Sequence, residues 1–384
     1  MSILRRVVLR GLAAGAMLAG ASTGQAQTSG EPLRLPFPYI FSGPLVDIGE
    51  RVWAEAILPA VAKINSEGGI KGRPLEFYKI DVRFPETAAW ISEFRRLCAD
   101  PNIPVMYGIG ATKSVLAIYD DVKRCGIPVF APTSSGDWPH KDFADWIFRY
   151  QPTARFVEPL FLAKAKEAFN LKTVALTYTS DDEYAVNNTK ISRQALEKLG
   201  IKIVTEQTFR SKETNLASQV AAINAAKPDA IVMHHQPGDL GTFVLQIRER
   251  GVKAQLLSGN TMASEDAWRL SKGRTKGGVA YSLYATDDPR PIAVDWLKRW
   301  RELTKRKDYP DTFVTAYYDT VLVLGRVLND AKDLSRPAVR EAFLRLKDLE
   351  TISGKISYPE VGDVYRTDPI YVMIGDQGST DYWK

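Results

Sequence analysis

Residues 106–122, MYGIGATKSVLAIYDDV, put glycines, a lysine and hydroxyl side chains between a short apolar strand and a helix, a combination that invites phosphate binding. A Walker loop needs glycine directly before its lysine and another five residues earlier, and this chain has Thr112 and Tyr107 there. The dinucleotide pattern fails as well, because after Gly108 and Gly110 its third glycine position holds Lys113. What survives is a helix start that offers free N–H groups and the hydroxyls of Thr112 and Ser114 beyond the carboxyl end of a strand, which suits a carboxylate. The next strand ends in APTSSGDWP, so Thr133, Ser134 and Ser135 are expected to face Ser114 across one cleft. Either segment alone reads as an ordinary polar turn; their repetition on consecutive units is what points to a ligand.

Other reactive combinations dissolve on inspection. His234 and His235 suggest a metal, but neighbours on a strand point to opposite faces, and only His140 remains as a further histidine. Asp81 and Glu86 look like a carboxylate pair, yet loop acids near helix starts are expected as solvated and capping groups. No GxSxG, HExxH or cysteine–histidine pattern is present, which argues against a hydrolase. No cofactor and no metal are expected.

These residues are positioned by short β-branched runs that alternate with segments of helical period, implying parallel sheets with crossover helices. Expected strands are LRLPFPYI, LEFYKIDV, PVMYG, PVFAP, TVALTYT, IKIVTEQ, AIVMHH and QLLSG. Helices are expected over 51–65, 87–99, 115–124, 153–169, 185–199, 216–226 and 240–250, with Pro59 kinking or splitting the first. Two doubly wound halves meet at 147–156. Three later helices, over 291–307, 312–330 and 336–346, are expected to return and cover the first half, since a parallel sheet needs both faces covered.

The first 26 residues read as a cleavable secretory signal, with Arg5, Arg6 and Arg10 ahead of GLAAGAMLAGA and small residues leading to Ala26. The paired arginines also allow a twin-arginine route. Removing this leader turns the formal charge of +6 into +3, with 48 basic against 45 acidic side chains, so no nucleic acid or other polyanion is expected as a partner. About 358 mature residues exceed one comfortable core and favour two domains. Cys98 and Cys125 fall at the ends of consecutive helices, and in an exported protein they suggest one disulfide worth about 3–4 kcal/mol; two buried thiols are the alternative.

At this point the chain resembles the type I periplasmic solute-binding proteins of ABC importers, in the branched-chain amino acid (Leu/Ile/Val) binding group. The likeness is carried by FSGPLVDIGERV, KINSEGGIKGRPLEFYKID, GIGATKSVLAIYDDVKRCGIPVFAPTSS, YTSDDEYAVN, the long segment from NAAKPDAIVMHH to AQLLSGN, FVTAYYDTVLVL and GKISYPEVGDVYRTDPIYVM, all in the family's order. The resemblance implies two α/β lobes with doubly wound parallel sheets joined by three hinge crossings, near Tyr150, Ala280 and Ser357. Lobe 1 would hold 31–150 plus 280–356, and lobe 2 would hold 151–279 plus 357–384.

It also implies a periplasmic monomer that binds a small ligand between the lobes and hands it to an ABC permease in the inner membrane; a sensory role through a receptor remains the alternative. Ser114 would correspond to the serine at the helix start, and Thr133 and Ser135 to head-group contacts. Tyr184, His235 and Gln236 would contact ligand from the second lobe. Where the family carries an ammonium-binding glutamate, this chain has Asn260. The ligand is thus an amino acid if Asp181, Asp182 or Asp239 moves in, and otherwise an aromatic or aliphatic acid, or an amide, with Trp53, Trp138 and Tyr184 suited to a flat body.

Overall fold

The computed structural model describes residues 28–43, 46–83, 86–136, 146–358, 362–366 and 368–384. The expected secretory signal, Trp138 and His140 lie outside them.

The chain begins with β1 (Leu33–Tyr39), whose seven residues run parallel to β2 (Leu75–Asp81). Between them, α1 (Val46–Val52) and α2 (Leu58–Ser66) form one continuous helix with a π turn over Trp53–Ile57. Pro59 explains that turn. A proline ring clashes with the carbonyl four residues back, and here the Leu58 N–H reaches Trp53 O, five residues back, so the helix widens instead of breaking. After α3 (Ala88–Cys98), the strands β3 (Met106–Tyr107), β4 (Val129–Ala131) and β5 (Ile147–Arg149) make a second parallel ladder. The helix expected from Val115 starts earlier: α4 (Thr112–Ala117) gives way at Ile118 to α5 (Tyr119–Cys125). Cys98 and Cys125, at the ends of α3 and α5, are joined as a disulfide with Cα atoms 5.9 Å apart.

The second lobe follows as α6 (Ala154–Phe169), β6 (Thr173–Thr179), α7 (Glu183–Lys198), β7 (Lys202–Phe209), α8 (Ala217–Ala226), β8 (Ala230–His234), α9 (Pro237–Glu249), β9 (Gln255–Ser258), α10 (Glu265–Leu270) and β10 (Val279–Ser282). The chain then returns. Helices α11 (Pro291–Thr304), α12 (Thr312–Asp330) and α13 (Arg336–Leu344) bury Trp296, Trp300, Tyr317 and Phe343 in the same core as Leu35, Phe37 and Tyr107. A small antiparallel sheet of β11 (Leu349–Thr351), β12 (Gly354–Ser357) and β13 (Tyr365–Arg366) completes the first lobe. Finally β14 (Ile370–Ile374) and β15 (Thr380–Tyr382) join the second-lobe sheet, whose order is β15-β14-β10-β9-β8-β6-β7.

These pairings shift two expected crossings. Ala280 sits inside β10, between Ser258 and Val372, so the second passage follows Ser282. Ser357 pairs with Tyr365, so the third passage follows Arg366 rather than Ser357. The first passage, at Tyr150, is tied to the third: Arg366 donates to Tyr150 O (2.9 Å) and Ser353 O (2.6 Å), and its guanidinium lies 4.4 Å from the Tyr150 ring centre.

Inside the second lobe, Glu158 on α6, Ser192 on α7 and His234 on β8 form a sealed polar cluster. Ser192 Oγ donates to Glu158 Oε2 (2.9 Å) and lies 2.8 Å from His234 Nε2, and all three residues are buried. These are the residue types of an acyl-transfer triad. The serine, however, bonds the carboxylate directly and no substrate can reach it. Burial pushes the Glu158 carboxyl up to about 7 from 4.5, and burial lowers His234 to about 3 from 6.5.

Two outcomes follow from these contacts. Because Glu158 is harder to ionise when folded, its contribution is fully present below about pH 4.5 and is lost as the pH rises through 7, a loss of about 3 kcal/mol. Glu158→Gln should therefore raise the melting temperature at pH 8 by about 4 °C and leave it nearly unchanged at pH 5, as read by calorimetry. Replacing both Cys98 and Cys125 with alanine should lower the unfolding free energy in urea by about 3 kcal/mol.

Candidate functional site

The turns expected to hold an anion do converge. Gly110, Ala111 and Thr112 follow β3, and Thr133 follows β4; with Tyr39, Ile40, Ile48 and Phe313 they form the first-lobe wall of a cavity of about 60 Å³. The second-lobe wall is Tyr184 at the start of α7, Gln236 and Pro237 at the start of α9, and Asn260 and Thr261 beyond β9. Each wall is thus drawn mainly from the carboxyl ends of parallel strands, where the backbone diverges and leaves a crevice. An enclosed crevice of this kind, walled by both lobes, suits a small organic solute.

Backbone geometry fixes the first wall. A side chain at Gly110 would bring its Cβ within 2.4 Å of both Thr133 Oγ1 and the Tyr317 hydroxyl, so only glycine lets these two hydroxyls close on the turn. Tyr317 Oη donates to Gly108 O at 2.9 Å, and Gly108 holds φ at +117°. Thr112 Oγ1 lies 3.2 Å from Ser134 Oγ and accepts the Gly136 N–H at 3.4 Å, which links the two polar turns directly. Ser135 is buried with a hydroxyl that has no partner among the described residues.

The second wall is polar but uncharged. Burial pushes the Tyr184 phenol well above its ordinary range, so it stays neutral. The Tyr184 hydroxyl lies close to those of Thr261 and Tyr281, so this wall carries a cluster of buried neutral hydroxyls. Asn260 Nδ2 donates to Gln151 Oε1 at 2.9 Å, so its amide is held by the residue beside Tyr150, on the first passage between lobes. Gln236 Nε2 donates to Asp182 Oδ2 at 3.2 Å.

Several expected residues lie elsewhere. His235 is fully buried, with its ring nitrogens 3.0 and 2.9 Å from Thr177 Oγ1 and Thr179 Oγ1 and its face stacked 4.4 Å from Phe209, so it belongs to the second-lobe core and not to the cleft. Ser114 is buried behind Thr112, where its carbonyl accepts from Trp90 Nε1 at 3.0 Å, because α4 begins two residues before it. Trp53 packs 5.8 Å from Phe37 in the first-lobe core. The three acids that would have to approach an ammonium are engaged: Asp181 accepts from Ser211, Asp182 caps α7 through Ala185 N–H, and Asp239 accepts from Lys212 N–H. None lines the cavity. Tyr39, Ile40, Ile48, Phe313 and Thr261 were not anticipated; Thr261 adjoins Asn260, and the others are brought in only by the fold. Among the described residues no three histidine, cysteine or acidic side chains could hold a metal ion, and no helix is long and apolar enough to cross a membrane.

The whole chain resembles known proteins. The family model for periplasmic binding proteins matches residues 32–374. A Leu/Ile/Val-binding protein homologue from Brucella suis is 26% identical over 362 residues, covering 90% of this chain and 88% of that protein. The Leu/Ile/Val-binding protein of Escherichia coli is 22% identical, covering 87% and 88%. Among solved structures, a leucine-binding protein from Thermotoga maritima aligns with a TM-score of 0.82 at 18% identity, covering 91% of this chain and 97% of its own. A branched-chain amino acid transporter substrate-binding protein from Streptococcus pneumoniae, in complex with isoleucine, aligns with a TM-score of 0.78 at 21% identity, covering 92% and 100%. With two α/β lobes, a cavity between them and a family match over nearly its full length, this chain belongs to the periplasmic binding protein family.

Proposed function

We propose that the chain is the solute-capturing component of an ABC importer and that its solute is a small carboxylate without an α-ammonium group. The observation that carries this reading is the cavity lining, which has hydroxyls and helix-start amides on the first wall and, among the described residues, no acidic side chain on either wall. The Ser114 N–H is bonded to Ala111 O at 3.0 Å, which leaves the N–H groups of Thr112 and Lys113 at the start of α4; with the Thr112 and Thr133 hydroxyls they can hold a carboxylate without a cationic side chain. An ammonium buried here would have no counter-charge, which costs several kcal/mol. Tyr39, Ile40, Ile48 and Phe313 offer an apolar bed for an aliphatic or aromatic body. Delivery to a permease, export to the periplasm and action as a monomer are read from the kinship. The protein is read as a binder with no turnover, since among the described residues the cavity lining holds no acid or histidine to act as a base.

A thermal-shift panel of isovalerate, benzoate, L-leucine, L-valine and isobutyramide tests this, because a solute stabilises by RT ln(1 + [L]/Kd). The acids should give the largest shifts. A larger shift with leucine or valine would show that an ammonium is accommodated, and a larger shift with the amide would assign a neutral ligand. Thr133→Val should weaken the bound acid roughly tenfold by calorimetric titration, the loss of one hydrogen bond to a charged group. Ser114→Ala, which is outside the cavity lining, should change it less than about twofold.

A further inference from the structure

Beside the cavity, the two lobes meet through a charged seam whose side chains are not among those lining it. Asp311, at the start of α12 in the first lobe, spreads one carboxylate over two helices. Its Oδ1 accepts the Phe313 N–H of its own helix at 2.6 Å, and its Oδ2 accepts the Glu265 N–H at the start of α10 in the second lobe, also at 2.6 Å. The Asp311 side chain is 1% exposed, so this is a desolvated contact between lobes. Arg51 on α1, with 13% of its side chain exposed, faces three carboxylates: Glu265 at 3.7 Å, Asp266 at 3.5 Å and Asp311 at 3.9 Å. Arg306 extends the seam by meeting Glu265 at 2.9 Å, Asp308 at 2.5 Å and Glu55 at 3.7 Å.

Opening the lobes would carry Glu265 and Asp266 away from Arg51 and Arg306 and would take the Asp311 carboxylate from the Glu265 N–H, leaving α10 with its own Ser264 cap. In the closed arrangement, removing Arg51 would leave Asp311, Glu265 and Asp266 facing one another with less positive charge between them. The seam also borders the site: Arg51 lies one turn beyond Ile48, and Asp311 two residues before Phe313, both of which line the cavity. By contrast, the Lys113–Glu183 contact between α4 and α7 is 3.9 Å long and has side chains 30% and 42% exposed, so solvent screens it.

We propose that Arg51 and Asp311 form an interlobe latch that sets the affinity of the cleft for its solute without contacting the solute. Apparent affinity scales with the fraction of molecules in the binding-competent form, so a residue that favours only the closed arrangement changes every solute's affinity by one common factor. The inference rests on the cleft being the binding site, but not on which solute it takes.

Calorimetric titrations with isovalerate, benzoate and L-leucine test it in the wild type, Arg51→Met, Arg51→Lys and Glu265→Gln. Arg51→Met and Glu265→Gln should weaken whichever of the three bind by the same factor, roughly tenfold, with their order unchanged; Arg51→Lys should recover part of the loss. The wild-type affinity should fall with added salt more steeply than that of Arg51→Met. Nitroxides at Lys190→Cys on α7 and Lys298→Cys on α11, read by double electron–electron resonance in each background, should show a smaller short-distance population in Arg51→Met. Unchanged affinities, or changes that differ between solutes, would overturn the latch. If none of the three binds, the distance distributions decide: coincident distributions in wild type and Arg51→Met overturn it. Leucine binding best, with a common loss in Arg51→Met, would sink the ammonium-free reading and leave the latch standing.

Discussion

The first-lobe wall of the cavity depends on a hydroxyl supplied from more than 200 residues downstream. Tyr317, on α12, donates to the carbonyl of Gly108 and crowds Gly110 so closely that no side chain fits there. Its ring packs against Tyr39 and Phe37, at 4.7 and 5.8 Å, and so joins the turn after β3 to the strand that begins the fold. The returning helices therefore do more than cover a sheet. The turns at Thr112 and Thr133 are joined to each other by the Thr112–Ser134 contact, but until α12 is in place they have no fixed relation to Phe313, and the cavity has only part of a wall. Such a wall is assembled from pieces distant in sequence, so closing it costs the entropy of a long loop.

Much of this was legible in the chain, and the limits have physical reasons. Strands and helices could be read because their periods are strong, and the polar turns at Thr112 and Thr133 because two consecutive units end alike. Ser114 fell behind the wall because α4 begins at Thr112, and the start of a short helix without a side-chain cap leaves little mark in sequence. His235 misled for a different reason. Alternation along a strand separates it from His234, but both faces of this sheet are covered by helices, so both imidazoles end in a core. The passages after Ser282 and Arg366 were displaced because the sequence of β10 and of β12 does not name their partners. Tyr39, Ile48 and Phe313 could not be recognised by any local pattern, since only tertiary contact brings them together.

Charge is divided sharply between the cavity and its border. The lining is neutral, with hydroxyls and amides that can rotate or flip to suit a small solute. A few ångströms away, two arginines and several carboxylates crowd one seam between the lobes. A neutral lining avoids leaving a charge unpaired in the cavity, while the ions at the border, though largely out of solvent, each have an opposite charge beside them. Asn260 connects the lining to the passage between lobes, because its amide is held by Gln151 beside Tyr150.

The clasp of Arg366 on Tyr150 and Ser353 has a mechanical consequence. It ties the departure points of two of the three interlobe strands to one another within the first lobe, so these strands share a single pivot. About a common pivot one lobe can turn but cannot slide away, and its displacement grows in proportion to the lever arm. A few degrees of rotation would then leave Gln151 almost still while sweeping more distant parts of the facing surfaces through larger arcs. Small angular fluctuations would be amplified with distance, and contacts farther out on the arc would have the greater leverage on the hinge.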